Sequence, residues 1–303
     1  MNHLEMKRFI IKLTLTIVVP VLLFFGSYEV IMRLRPNRWT YKSEMCERVD
    51  LAGVEVLVLG NSHTLEAVNP SLLGRRAISL AQMSQSYNYD CLLFDKYLPS
   101  MPSLRYVIMD LSHFSPWEML EEGPSAWLCK RYAVCFGLRN HRWWEYRYRY
   151  YFSEISPALL RALAAPPEAN PFDSLGFLAN LERCDDMELD AEKTYMVHCV
   201  DTLRRDIYDT NMAMLDRMID RCEQRGIKVL FVSTPMHEAY RRRVEPRRLE
   251  LASDFAGKLC RHGNVRWLDL YDAPGFVDSD FVNSDHLSPQ GAEKCTEIVK
   301  ELL

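Results

Sequence analysis

The sequence predicts an α/β fold: a parallel sheet with helices on both faces. Two observations carry this. Five short apolar runs, Val54–Leu59, Ala77–Leu80, Arg105–Leu111, Lys228–Ser233 and Val265–Leu270, each stop at polar or glycine residues. Helical patterns lie between them, and strands alternating with helices bury a parallel sheet on both faces. In such a sheet the polar exits gather along one edge, where α/β proteins place their chemistry.

Taken in order, the chain begins with Phe9–Met32, an apolar run whose centre, Leu13–Phe25, carries no charge. As a helix its 24 residues rise roughly 36 Å, enough to cross a bilayer core with some tilt. A core helix of this length would show a polar stripe. Lys7 and Arg8 before it suit a secretory signal, but no small-x-small cleavage site follows, so residues 1–34 read as an uncleaved signal-anchor. Lys7, Arg8 and Lys12 precede or open the span, while Arg33, Arg35, Arg38 and Lys42 follow it. Counted by the positive-inside rule, those charges keep the remainder of the chain in the cytoplasm.

Residues 35–53 read as a polar connector and 54–303 as one domain. Its first strand, Val54–Leu59, ends at Gly60 and is followed by Asn61, Ser62, His63 and Thr64. The second exits through Ser84, Gln85 and Ser86 into a helix over Tyr87–Leu98, closed by Pro99 and Pro102. The third exits through Ser112 and His113. Residues 117–195 hold most of the aromatics and several prolines without strand alternation, and read as a mostly helical insertion that covers the site or faces the membrane. Within it Trp143–Phe152 interleaves aromatics with arginines, which suits packing, sugar stacking or a membrane interface. A long amphipathic helix, about Tyr195–Arg225, ends at Gly226 as its C-cap. The fourth strand exits through Thr234–Glu238, including His237, and is expected beside the first. Helices follow over Pro246–Arg261 and from about Pro289 to Leu302, the last introduced by Ser288 as N-cap.

Composition narrows the function. A net charge of −4 gives no reason to expect a nucleic-acid partner. With neither P-loop nor dinucleotide fingerprint, no cofactor is expected. The nine cysteines lack a C-x-x-C pair, so no metal site is expected either. In an oxidising compartment, Cys129–Cys135 and Cys184–Cys199 are the sequence-local candidates for bridges.

Chemistry is concentrated at two places. Read alone, Ser62 is a cap after a strand, and His286, in the loop before the last helix, is a capping or packing residue. Together, an early serine at a strand exit and a late histidine before a helix match the order of an acyl-transfer site. His63 reads as structural or substrate-facing, on the other side of the turn from Ser62. Lone histidines at strand exits, His113 and His237, are usually solvated, although either could meet a substrate.

The GNSHT stretch after the first strand resembles the Gly-Asp-Ser block of SGNH (GDSL-type) hydrolases, and NSDHLSPQGA resembles their last block. The resemblance spans about residues 54–303 with 117–195 unmatched, and looks most like the membrane-anchored, envelope-facing branch. It implies a three-layer α/β/α sandwich of the flavodoxin-like type, with Ser62 as nucleophile and His286 as general base. The family's acid precedes the histidine by three residues, where this chain has Asn283. Asn283 could orient the imidazole without offsetting its charge, leaving Asp285 or Asp280 to supply it, Asp285 being preferred. No Gly-x-Asn-Asp block is present. Ser84, with Gln85 as the alternative, stands in for the missing oxyanion donor beside the backbone N–H of Ser62. The implied function is a serine esterase or O-acyltransferase acting on acetyl or similar esters of a cell-surface polysaccharide or related envelope substrate. The chain would be single-pass in the inner membrane with its C-terminal domain in the periplasm or on the extracytoplasmic side. The alternative is a catalytically inactive relative that binds glycan or scaffolds an envelope polysaccharide assembly, for which Asn283 is the main support.

Overall fold

Five strands lie side by side: β1 Val56–Val58, β2 Ala77–Ser79, β3 Tyr106–Asp110, β4 Lys228–Ser233 and β5 Val265–Asp269. The computed structural model describes residues 3–140, 143–146, 148, 150, 166–200 and 202–303. The strand order is β2-β1-β3-β4-β5 and every pairing is parallel. β1 is buried throughout, which is why it reads as an unbroken Val/Leu run without polar alternation. β3, not β1, neighbours β4, so the exit carrying His237 stands one strand further from Ser62 than expected.

The labelled helices are α1 His3–Leu34, α2 Arg38–Arg48, α3 Ser62–Ala67, α4 Tyr87–Tyr97, α5 Met187–His198, α6 Arg205–Gln224, α7 Pro246–Leu259 and α8 Pro289–Lys300. Alternate strand residues point to opposite faces. Leu57, Val107, Val229 and Phe231 pack with α4, α6 and α7 through Phe94, Leu215 and Phe255. Val56, Val58, Ile108 and Val232 pack with α3 and α8 through Ala67, Cys295 and Val299. The result is a three-layer α/β/α sandwich. From β1 the chain steps outward to β2 and then crosses back to β3 on the other side. The carboxyl ends of β1 and β3 therefore border a topological switch point, where open sheets leave a crevice.

Three expectations are corrected. The stretch read as a polar connector contains α2, which buries Trp39, Met45 and Cys46 in the core. Asn37 caps it, accepting from Trp39 N at 3.0 Å. Buried Lys42 on α2 donates to the carbonyls of Ser79 (2.7 Å) and Gly176 (2.5 Å), and burial lowers its pKa to about 7. The long helix expected over Tyr195–Arg225 is two helices, α5 and α6. The buried stripe of α6 starts at Ile207 and, among the described residues between Cys199 and it, has no buried counterpart to carry one axis across the junction. Gly226 ends α6 in the left-handed region, φ +69°. The insertion is not mostly helical among the described residues: short helical turns over Ser115–Phe136 give way to irregular chain from 166 to α5. Gly and Pro at Pro116, Gly123, Pro124 and Gly137 explain the fragmentation. The Trp143–Phe152 run lies partly outside the described residues. Its Tyr150 is buried and donates to Glu121 Oε1 at 2.7 Å.

Of the candidate bridges, Cys184 Sγ lies 3.9 Å from Met187 Sδ, while Cys199 is buried against His113 and Tyr240. Cys129 is buried in the core and Cys135 lies 3.7 Å from Thr40 Oγ1. α1 is exposed over the hydrophobic window that makes it long and apolar enough to cross a membrane. Its last turns fold onto the domain: Tyr28 and Met32 are buried, Glu29 pairs with Lys130, and Arg131 Nη1 donates to Met32 O at 3.1 Å.

Gly60 is the hinge between sheet and site. Its φ is +120°, and a Cβ there would meet Thr64 Oγ1 at 2.8 Å and Asp110 Cβ at 2.9 Å. Gly60→Ala is expected to destabilise the purified chain by about 1–3 kcal/mol. A lowered thermal midpoint followed by tryptophan fluorescence checks this, and an unchanged midpoint would contradict the strain.

Candidate active site

The exits of β1 and β3 are tied together by one buried carboxylate. Asp110, at the end of β3, accepts from Asn61 Nδ2 (3.0 Å), Ser112 N (3.1 Å), Ser112 Oγ (2.7 Å) and the hydroxyl of Ser115. Asn61 is also the N-cap of α3, accepting from His63 N at 3.0 Å. Ser62 is thereby fixed as the first residue of α3. Its hydroxyl is half-buried at the carboxyl edge of the sheet.

The second half of the site comes from the loop before α8. A bridge between Phe281 and Leu287 and a bond from Val282 N to His286 O (3.0 Å) close this loop into a tight turn. Asn283 Oδ1 accepts from the backbone of Asp285 (3.2 Å) and His286 (2.8 Å) and lies 3.1 Å from His286 Nδ1. The turn aims His286 at Ser62, with Nε2 2.8 Å from Oγ. On the other side of the ring, Nδ1 stands 2.9 Å from Asp285 Oδ1. Asp285, not Asp280, faces the imidazole: Asp280 accepts from Val277 N (2.8 Å) and pairs with Lys294 (2.7 Å).

Asp285 has a second partner. Its Oδ2 lies 2.9 Å from Nε2 of His63, whose Nδ1 lies 3.2 Å from Ser112 Oγ. A continuous hydrogen-bonded chain thus runs Ser62, His286, Asp285, His63, Ser112, Asp110. His198 stands nearby, its Nε2 3.9 Å from Asp285 Oδ2, its Nδ1 2.9 Å from Glu118 Oε1 and its ring stacked on Phe114.

The electrostatics follow from burial against pairing. Burial pushes Asp285 up, but the charges and hydrogen bonds of His286 and His63 outweigh it and hold the carboxyl well below its usual range. Burial pulls His286 down, and Asp285 more than offsets this, raising the ring to about 9. Burial likewise lowers His198, and its bond to Glu118 reverses the sign. His63, Asp285 and His286 offer ligand atoms within 4.8 Å of one another, a spacing a cation could use. In this arrangement those atoms are engaged pairwise with each other.

Ser62 and His63 open into a cavity of about 400 Å³, walled by Phe114, Trp117, Met119, Leu120, Val197 and Ile207, with Glu118, Glu122, His198 and Arg204 among its polar groups. Much of this wall is the start of the insertion. Ser84 also lines it, in the left-handed region at φ 55°, with Oγ 3.2 Å from Ser125 Oγ. Gln85 does not: it is buried, its amide donating to Leu80 O (3.2 Å) and Asp90 Oδ1 (2.6 Å) and accepting from Tyr132 (2.8 Å). His237 is likewise outside the cavity. It caps a turn of helix, accepting from Ala239 N at 3.1 Å, and pairs with Asp278. His113 is buried against Tyr240 at 2.8 Å. His198 and Glu118, which lie in or beside the insertion, carry no motif and were missed; His63, read as structural or substrate-facing on the other side of the turn, lines the cavity beside Ser62 and reaches Asp285.

No protein-family model matches the sequence, and no curated relative matches it. Solved structures do. A GDSL-like lipase from Bacteroides thetaiotaomicron shares 10% identity and a TM-score of 0.41, over 88% of this chain and 99% of that one. A structure described as a lipolytic protein of the G-D-S-L family, from Desulfitobacterium hafniense, shares 12% identity and a TM-score of 0.41, over 82% and 99%. Likeness at this level carries no argument for this chain, whose chemistry rests on the geometry of its own site.

The Asp285–His286 pair has a measurable signature. In a Ser62→Ala background, histidine NMR is expected to show one ring titrating near 9, and Asp285→Asn to lower it clearly, because burial is then opposed only by the weaker pull of Glu66 and Asp190. A folded-state value above the unfolded one also adds stability that is complete below about 6.5 and lost as pH rises through 9. A titration unmoved by Asp285→Asn would remove Asp285 from the site.

Proposed function

We propose that this chain is a serine esterase or O-acyltransferase, anchored in the inner membrane by α1, that acts on acetyl or similar esters of a cell-surface polysaccharide or related envelope glycan. One observation carries the reading: Ser62 Oγ, His286 and Asp285 line up at 2.8 Å and 2.9 Å, with Ser62 opening into a substrate-sized cavity.

In this mechanism Ser62 Oγ attacks the acyl carbonyl while its proton passes to His286 Nε2. The imidazolium faces the buried carboxylate of Asp285, which stabilises it and fixes the tautomer. The backbone N–H of Ser62, in the first turn of α3, and the hydroxyl of Ser84 receive the developing oxyanion. His286 then returns the proton to the departing alkoxide. Water gives hydrolysis and a sugar hydroxyl gives transfer, each losing its proton to His286 as it attacks the acyl-serine; the acyl–Oγ bond then breaks and His286 returns that proton to Ser62 Oγ. With His286 raised to about 9, the base is largely protonated in the free enzyme at neutral pH. The rate therefore rises with pH toward that value.

The cavity supports a glycan substrate. Phe114 and Trp117 offer apolar faces beside Glu118, Glu122 and Arg204, a mixed lining that suits a sugar ring better than a long acyl chain. Asp285 also supplies the charge whose lack at Asn283 favoured an inactive protein.

Membrane anchoring rests on the length and hydropathy of α1, and the envelope side rests on the resemblance of the two motif blocks, against the charge count. Because Glu29 and Met32 contact Lys130 and Arg131, an anchored α1 would hold the domain close to the bilayer surface.

A fluorophosphonate probe is expected to label the wild-type chain and to leave Ser62→Ala unlabelled. No Ser62-dependent labelling, together with no acetyl-ester hydrolysis, would sink the enzyme reading. Externally added protease is expected to cut the domain in spheroplasts with intact inner membranes. Protection there would place the domain in the cytoplasm.

A further inference from the structure

Resting on the serine-esterase reading, we infer that His63 is a positioning residue of the site. It holds Asp285 Oδ2 so that Oδ1 faces His286, and it shares the carboxylate's charge so that His286 can both accept and release a proton. The residue directly after the nucleophile thus sets the strength of the base.

The need for such a residue follows from the loop. Asn283 occupies the position three before the histidine, so the carboxylate comes from Asp285, the residue adjacent to His286. Neighbouring side chains in a turn normally diverge, and both Asp285 oxygens must be satisfied because the residue is 4% exposed. His286 takes one oxygen and His63 the other, each at 2.9 Å. His63 is itself immobilised. Its Nδ1 meets Ser112 Oγ at 3.2 Å, Ser112 donates onward to Asp110 at 2.7 Å, and Phe114 packs edge-on at 5.2 Å. The strand-exit scaffold that fixes Ser62 therefore also fixes the acid, through one side chain.

His63 exchanges no proton with the substrate. Protons pass only through His286, from Ser62 to the departing alcohol and then from the incoming hydroxyl back to Ser62, and the only heavy-atom bonds made and broken are at the acyl carbon. What His63 changes is how much of the Asp285 charge reaches His286. The other titratable groups around the pair are Glu66 on α3, Asp190 and His198 on α5, Glu118 beside His198, His113 at the exit of β3, and Tyr240.

The test uses the purified full-length chain and 4-nitrophenyl acetate across pH. His63→Leu is expected to lower kcat roughly ten- to hundred-fold, the loss of one charge-assisted hydrogen bond, with KM little changed. It also moves the ascending limb of the profile, set by deprotonation of His286, to higher pH, because one imidazole fewer then shares the Asp285 charge. His63→Gln, which keeps an N–H donor near the Nε2 position, restores most of kcat and of the limb. Equal losses in both variants with an unmoved limb, or wild-type kcat in His63→Leu, would overturn the proposal. If His63→Leu does not fold, Ser112→Ala frees the ring at its other end and must shift the limb in the same direction by less; an unmoved limb there counts against it equally. The two readings fail separately. If the wild-type chain neither hydrolyses ester nor is labelled at Ser62, histidine NMR in Ser62→Ala still decides on His63: the His286 titration must rise when His63→Leu or Ser112→Ala is added, and a fixed value refutes the inference.

Discussion

A buried carboxylate cannot be left alone, and this site is built around that constraint at Asp285. Taking a carboxylate out of water costs several kcal/mol unless charge and hydrogen bonds replace the solvent. Here the replacements are two imidazoles, one on each oxygen, with a third, His198, at 3.9 Å. Those partners come from three places in the chain: α3, the end of α5 and the loop before α8. Satisfying one charge therefore requires that three segments far apart in sequence be brought to one point. The sheet supplies the point, because its order reverses at β1 and leaves the exits of β1 and β3 beside an open crevice.

Asp110 plays the complementary part. Its carboxylate accepts from both strand exits and sets the entry angle of α3, so that Ser62 starts the helix and His63 follows inward. The two acids thus divide the work. Asp110 organises the nucleophile's side through neutral hydroxyl and amide donors. Asp285 organises the base's side through imidazoles. His63 and Ser112 are the two side chains that join them, and the backbone strain at Gly60 is the local cost of turning the chain sharply enough for this.

The sheet was legible because buried parallel strands leave unbroken apolar runs, and β4 coincides with its predicted run while the others are shorter by one to three residues. Ser62 and His286 were legible as residue types in the right order at the right kind of turn. What stayed hidden depends on side-chain direction. His63 was assigned to the far side of the turn, as strand alternation would give, but Ser62 and His63 are the first two residues of a helix and differ by roughly 100° of rotation. On paper Ser84 was preferred as the oxyanion donor, with Gln85 as the alternative. In the fold, Ser84 takes a left-handed conformation at the cavity wall and Gln85 turns into the core. His198 had no sequence signal, because its place depends on the break between α5 and α6 that an amphipathic pattern alone does not reveal.

Asn283 shows how a departure from a motif can mislead in both directions. As the missing acid it argues for a silent site. In the fold it does something a carboxylate would do less well beside Asp285: its amide oxygen takes two backbone N–H groups and folds the turn without adding a second negative charge within reach of His286. Two carboxylates around one imidazole would raise its pKa further and make it a slower proton donor to the departing alkoxide. With an amide at 283, a carboxylate at 285 and His63 on its far oxygen, the loop keeps the imidazole oriented by two groups but charged by one. The departure and its compensation are thus parts of a single electrostatic arrangement.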